Sequence, residues 1–396
     1  MKVPALTFLL AAAVSPFAFA QRGLEWSSAD GFWRAGVNPT LELTYWHTDL
    51  PSPGLLLFSG TDFFQPRLSL GFSVMAGDEW LVHVLARWDR GFDVGFRRDG
   101  DVRADEAFLR WRPLGDGRLN VQIGKFATCF GNWVPRHGFW DDPFLTSPLP
   151  YDGLLAVNDR NARNPSSTTI ATRATGKRVW LPMIWGPSYA TGVSVSGSSA
   201  HWDYALEVKN AGLASRPDSW SPSEENGSHP TVTARVGFRP DAAWALGVSA
   251  SHGTYLRTDA TPTLSAGASL DDFQHTVVGA DFRWSHHQFQ ILGEVLASRS
   301  TTTSAAGDLD AFSYYLEGRW KVNSRVFLAA RWAQQWNDDF YLDRARRVQP
   351  YTMETWRATA AVGLRVTENI LVKTEFNHTG GNAGENGFAV GIGLRF

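Results

Sequence analysis

The sequence predicts an all-β protein, a closed antiparallel transmembrane β-barrel of about 16 strands. Three observations predict it. Apolar and polar residues alternate with period two through most of the chain, the connections between these segments are short and long in strict turn, and tryptophans gather near segment ends on the apolar faces. A period of two places alternate side chains on opposite faces of a strand. A wall with lipid outside and water inside requires that pattern.

The first 20 residues are set aside before the strands are counted. Lys2, the apolar run 5–14, Pro16 and Ala18-Phe19-Ala20 read as a secretory signal peptide, with cleavage expected before Gln21. Residues 21–396 then form one barrel domain. No later segment is an unbroken apolar run of about 18 residues, so no membrane-crossing helix is predicted. With 37 basic residues against 39 acidic ones, the chain lacks the clustered basic excess of a nucleic-acid binder, and no nucleic-acid partner is expected. The single cysteine, Cys129, rules out an intramolecular disulfide framework.

The predicted strands lie at 33–47, 64–76, 79–91, 103–112, 118–127, 189–198, 200–210, 231–239, 243–256, 273–285, 287–299, 310–322, 325–336, 354–367, 369–379 and 387–396. The alternation is plain in Val232, Ala234, Val236 and Phe238 against Thr233, Arg235, Gly237 and Arg239. It is equally plain at the end, where Phe388, Val390, Ile392, Leu394 and Phe396 alternate with Gly387, Ala389, Gly391, Gly393 and Arg395. That last strand is expected to pair with the first, its bulky face toward lipid and its glycines and Arg395 toward a water-filled lumen. Most segments run about ten residues, the length a tilted strand needs to cross the hydrocarbon core.

Short links fall at Gly77-Asp78, 113–117, Ser198-Ser199, 240–242, His286, Asn323-Ser324 and Glu368. Between them come the long links 48–63, 92–102, 128–188, 211–230, 257–272, 300–309, 337–353 and 380–386. Tight turns at one end and long loops at the other describe an outer-membrane barrel, with both termini at the tight-turn end. A β-sandwich gives no reason for that parity. Trp80 and Trp88 share one face eight residues apart, roughly 26 Å along the strand. Trp202, Trp244, Trp284, Trp320, Trp332 and Trp356 also sit near strand ends, as the aromatic girdles of such a barrel would.

Inward-facing charge is the chemistry that selects what passes through a lumen. Parity turns Arg67, Arg87, Arg110 and Arg235 inward, and likewise Arg319, Arg331, Arg357 and Arg365, together with Lys209, Arg283, Lys321, Lys373 and Arg395. Against them stand Glu42, Glu106, Asp203, Glu207, Asp281, Glu294, Glu317 and Glu375. The basic excess suggests a weak preference for anions, and cross-strand pairing of opposite charges is the structural alternative for many of them. The connection 128–188 is far longer than ordinary loops and is aromatic and proline-rich. It is expected to fold into the lumen as a constriction bearing Arg136, Asp141, Asp142, Asp159, Arg160 and Arg173, with a surface lid as the second reading.

Val121-Gln122-Ile123-Gly124-Lys125-Phe126, followed by Phe130-Gly131, resembles the G-K-F…F-G stretch that ends the fifth strand of Gram-negative outer-membrane porins. The resemblance is nearest to the phosphate-selective (O/P-type) group, although no run of lysines accompanies it. It implies a long loop folded inward after strand five, passive diffusion of small hydrophilic solutes and ions, a cell outer membrane location, and a homotrimer. The terminal Phe396 resembles the signal read by the barrel-assembly machinery. Outer-membrane lipid, that machinery and small solutes are the partners implied, with no cofactor. A substrate-specific channel for a sugar, an oligosaccharide or phosphate remains the alternative.

An enzyme is not expected. No G-x-S-x-G elbow is present. Ser249, Ser251 and His252 are close in sequence, but alternation turns His252 away from both serines, which argues against a barrel hydrolase. The histidines form no H-E-x-x-H pattern, and His286-His287 reads as a solvated turn, so no metal site is expected.

Overall fold

The computed structural model describes residues 24–49, 61–90, 102–155, 157–162, 180–216, 230–302, 308–337, 341–342, 347–348, 354–381 and 384–396. The proposed signal peptide and its cleavage point lie outside these residues, as does Arg173.

Sixteen antiparallel strands close into a barrel. They are β1 (Trp33–Thr48), β2 (Asp62–Ala76), β3 (Trp80–Asp89), β4 (Val102–Trp111), β5 (Asn120–Phe126), β6 (Ala190–Ser198), β7 (Trp202–Lys209) and β8 (Thr231–Phe238). They continue as β9 (Trp244–Thr254), β10 (Gln274–His286), β11 (Phe289–Ser300), β12 (Leu309–Lys321), β13 (Val326–Asn337), β14 (Thr355–Thr367), β15 (Ile370–Gly381) and β16 (Glu385–Arg395). Each pairs with its sequence neighbour, and β16 pairs back onto β1 from Arg395↔Thr40 to Gly387↔Thr48. Closure gives every strand a neighbour on both sides, whereas an open sheet would leave two strands at exposed edges. The predicted strands and turns stand where parity put them.

One strand of the barrel sheet was not anticipated. Leu24–Ser27 pairs with Arg34–Val37 of β1, on the same edge that β16 covers further along. It completes the hydrogen bonding of β1 where β16 has ended. The sequence signal is weak because the segment is only four residues long.

The outward face is apolar. Leu68, Leu70, Phe72, Val236, Val248, Leu316, Val362, Leu364 and Phe388 are all exposed there. Aromatic rings stack across neighbouring strands near the tight-turn end: Trp80 on Trp111 at 5.7 Å and Phe289 on Trp320 at 5.9 Å. Toward the other end Trp332 stacks on Trp356 at 5.0 Å. Such stacked pairs across strands stabilise a sheet beyond the area they bury.

The inward face is only partly polar. Val277 on β10, Leu296 on β11, Tyr315 on β12 and Ala333 on β13 form an apolar patch on the inner wall. Phe130, Trp133, Leu149, Tyr151, Trp180, Ile184 and Trp185, all from the connection after β5, cover it in one cluster. Each large side chain buried this way contributes roughly 1.5–3 kcal/mol, which explains the apolar composition of that connection. It holds a 3-10 turn at Val134–Arg136, one helical turn at Leu149–Asp152 and a short ladder between Leu154–Leu155 and Leu181–Pro182.

Candidate functional site

The inward charges divide into three groups according to what meets them. The first group holds the connection after β5. The Glu294 carboxylate accepts the backbone N–H groups of Asn132 and Trp133 and the Tyr151 hydroxyl at 2.6 Å. Glu375 accepts the N–H groups of Leu145 and Thr146 and the Thr146 hydroxyl. Glu207 accepts the Thr128 hydroxyl and the Cys129 N–H. Cations bind its carbonyls: Lys373 Nζ donates to Asp142 and Phe144, and Arg331 to Thr146. Arg357 donates to Ser147 and pairs with Asp152 at 3.1 Å. Arg136 reaches back to Glu317 and the Tyr315 hydroxyl. Backbone groups that leave water must find partners, and here the barrel wall supplies them.

Arg331 and Arg357, which parity turns inward, are therefore 3% and 4% exposed and bound beneath the connection. The glycines of β16 differ likewise from the expectation of a wetted strip. A Cβ on Gly393 would lie 2.5 Å from Phe139 Cε1, and one on Gly391 would lie 2.9 Å from Leu145 Cδ2. These glycines face inward, but aromatic and aliphatic side chains sit directly on them. Gly131 has φ +71° and a virtual Cβ within 3 Å of the Tyr151 hydroxyl and Glu294, so the turn of Phe130-Gly131 admits no side chain.

The second group is an ion-pair ladder across β1–β4. Arg67 joins Glu42 at 3.1 Å and Asp89 at 3.5 Å. Arg87 joins Asp89 at 3.2 Å and Asp105 at 3.0 Å, and Arg103 joins Asp105 at 2.7 Å. Parity missed Arg103 and Asp105. A bulge shifts the register, with Leu85 opposite Glu106 but Ala86 opposite Ala104, and the extra residue turns both side chains inward. Arg110, further along β4, donates to Gln122 at 2.9 Å.

The third group borders a cavity of about 950 Å³ toward the tight-turn end. Its basic lining residues are Arg136, Arg235, Arg239, Arg283, Arg319, Lys321, Arg325 and Arg365, against Asp141, Asp203 and Asp281. Arg235 forms a two-pronged pair with Asp281, and Arg239 approaches Asp203 at 3.7 Å. Arg136 is tied to Glu317. Among the described residues Arg283, Arg319, Lys321, Arg325 and Arg365 have no carboxylate within 4 Å, and neither does Asp141 have a cation. Phe327 and Trp140 supply its aromatic surface.

The other residues singled out in the sequence lie apart from that cavity. Asp142 is buried and accepts the Trp133 indole N–H at 2.8 Å and the Phe144 N–H at 2.9 Å. Asp159 is fully buried at the long-connection end, 3.0 Å from Arg216. Burial pushes its carboxyl above the ordinary carboxylate range, against the pull of Arg216 and Arg257. Arg160 pairs with Asp259 at the surface. Phe396 ends the chain with its N–H on the Pro39 carbonyl at 3.2 Å. His252 bonds Thr276 on the outward face, while Ser249 and Ser251 are buried on the inward one.

Comparison with solved structures decides the type of barrel. OmpT of Vibrio cholerae matches with a TM-score of 0.59 over 94% of this chain and 100% of that one, at 9% identity. The outer membrane channel DcaP of Acinetobacter baumannii matches at 0.57 over 95% and 100%, with 12% identity. OprB of Pseudomonas putida matches at 0.55 over 93% and 95%, with 11% identity. The fold is porin-like. No family model matches the sequence, and no curated protein does either. At such identities the likeness is one of architecture, carried by strand number, closure and loop parity. In this porin-like barrel the cavity cations without a carboxylate partner come from strand ends and tight turns, while the wall charges that hold the connection come mainly from strand interiors.

Proposed function

We propose that the chain forms a water-filled channel across a bacterial outer membrane, through which small hydrophilic solutes diffuse with a weak preference for anions. The supporting observation is the cavity of about 950 Å³, whose described lining holds five cations without a carboxylate partner and one carboxylate without a cation. Uncompensated charge of one sign in a low-dielectric enclosure raises the local concentration of the opposite ion. Under this reading the connection after β5 is the constriction, because its contacts run to inward residues from β7 round to β16. Its acidic Asp141 then faces a basic wall across the remaining opening.

The same reading makes Phe396 the mark recognised at assembly and the mature protein a homotrimer. OmpT of Vibrio cholerae has been solved in a trimer form. Current across planar bilayers tests the channel, with reversal potentials in a KCl gradient giving the sign of selectivity. Absence of conductance from folded, heat-modifiable protein would sink it. Cation preference would sink its basic-wall part.

A further inference from the structure

We propose that His83 sets how strongly the lumen prefers anions, its imidazole adding a positive charge to the wall of the tight-turn half as the surroundings turn acid. The inference rests on the channel reading and gives it a specificity-determining residue.

Trp80 and Val82 of β3 are exposed on the outward face, so His83, next in the alternation, points inward. It stands opposite Ser73 of β2 and Phe108 of β4, and its side chain is 23% exposed. β3 and β11 lie half a turn apart in a ring of sixteen strands. His83 therefore faces the side of the lumen where Gln290 and Leu292 border the large cavity.

Among the described residues no other histidine is so placed. His47, His252 and His378 lie on the outward face, and His201, His286 and His287 lie in or beside tight turns. His275 points inward but is 4% exposed, with one ring nitrogen on Ser300 and the other on the Met183 carbonyl. His137 belongs to the connection after β5 and has both ring nitrogens bonded, to the Val134 carbonyl and the Tyr189 hydroxyl.

The groups around His83 let its charge change without moving the ring. Ser73 Oγ lies 2.8 Å from Nδ1, and a hydroxyl donates to a neutral imidazole but accepts from an imidazolium. Nε2 lies 3.6 Å from the Glu106 carboxylate, too long for a hydrogen bond and short enough for an ion pair once the ring is charged. Phe108, 5.3 Å from the imidazole, carries Arg110 on its ring at 5.1 Å, and Arg110 is held by Gln122 at 2.9 Å. Glu106 and Arg110 are thus the charged groups that face His83, with Asp105 and Lys209 beyond Glu106 and Arg112 beyond Arg110. Protonation of the imidazole adds one positive charge to this wall whether or not Glu106 pairs with it. Histidine is the side chain whose ordinary titration falls between about pH 5 and 8, so the carboxylates and guanidiniums of the lumen supply a fixed background to that change.

Reversal potentials of the full-length protein in planar bilayers, in a KCl gradient near 0.1 M, would be read from pH 8 to pH 5. The Debye length at that salt is about 10 Å, so a single wall charge is felt across much of the lumen. The chloride-to-potassium permeability ratio should rise by about two- to fivefold as pH falls. His83→Gln should hold the ratio at its pH 8 value throughout, and His83→Lys should hold it near the pH 5 value. Glu106→Gln should move the titration to lower pH, because the imidazolium loses its counter-charge, a shift that a merely structural role for the pair would not give. Heat-modifiable migration shows that each variant is folded, and any one of the three serves if another is not. A wild-type ratio that stays constant with pH, or a full pH response surviving in His83→Gln, would overturn the role of His83 and leave the channel. Absence of conductance would remove the channel reading, and the role of His83 with it.

Discussion

The Tyr151 hydroxyl donates to Glu294 at 2.6 Å, joining the connection after β5 to the inner wall of β11. The same carboxylate takes two consecutive backbone N–H groups, from Asn132 and Trp133. One side chain thus satisfies three donors on two turns of a segment whose described residues hold little regular structure. Glu294→Ala strands all three, at about 1–3 kcal/mol each. The barrel should still fold, since its ladders are untouched. Trypsin cleavage within 128–188 should become faster and single-channel conductance larger and noisier. Tyr151→Phe removes one donor and should give the same changes to a lesser degree. Wild-type proteolysis in Glu294→Ala would show that the apolar cluster alone fixes the segment.

The closing strand makes a steric prediction. Gly393 leaves no room for a methyl group beneath Phe139, so Gly393→Val must lift the ring or bend the strand. Overpacking of this kind costs about 1–3 kcal/mol. The lifted tip around Phe139 and Leu145 should raise conductance. Phe139→Ala in the same chain should recover the stability lost to Gly393→Val, a coupling that a double-mutant cycle on heat-modification temperature would measure. Additive effects would mean that the two residues do not meet.

The two classes of inward arginine should separate in electrophysiology. Arg283, Lys321 and Arg325 border the cavity without carboxylate partners. Neutralising all three with glutamine should move the reversal potential toward cation preference, each charge contributing up to about 1 kcal/mol at close range in a watery pore. The shift should shrink at 1 M salt, where the Debye length falls to about 3 Å. Arg331→Gln and Arg357→Gln should change conductance and segment stability with little change in selectivity, because both guanidiniums are bound to the segment. A selectivity shift as large as that of the cavity triple variant would contradict this division.

Much of this was legible in the sequence because a barrel obeys parity. Counting back from Phe396 gives the outward face of β16, and the same count assigns Arg235, Arg319 and Arg365 to the lumen. Parity says which face a residue is on, but it does not say what lies above it. Gly391 and Gly393 therefore read as wetted wall, although Phe139 and Leu145 cover them, and Arg331 reads as pore lining, although Thr146 takes its guanidinium. The signal was there in two halves, a bare glycine strip on one strand and an aromatic connection elsewhere, with nothing local to join them. Contacts between residues some 250 positions apart are set by closure of the whole barrel. At β4 parity itself failed, because one extra residue near Asp105 reverses the count.

That bulge yields the last prediction. Asp105 and Arg103 enter the lumen wall only because the register shifts between Leu85 and Ala86. There Asp105 pairs with both Arg87 and Arg103, and all three are less than a tenth exposed. Among the described residues Glu42, Asp89 and Asp105 stand against Arg67, Arg87 and Arg103 in this ladder. Asp105→Asn leaves a buried positive charge and should destabilise the barrel by about 3–5 kcal/mol, visible as a lower heat-modification temperature. Arg103→Gln added to it restores neutrality and should return much of that loss. Arg103→Gln alone should be harmful, since it leaves the opposite imbalance. If the double variant were no more stable than Asp105→Asn, charge balance would not be what Asp105 contributes, and the bulge itself would have to carry the stability.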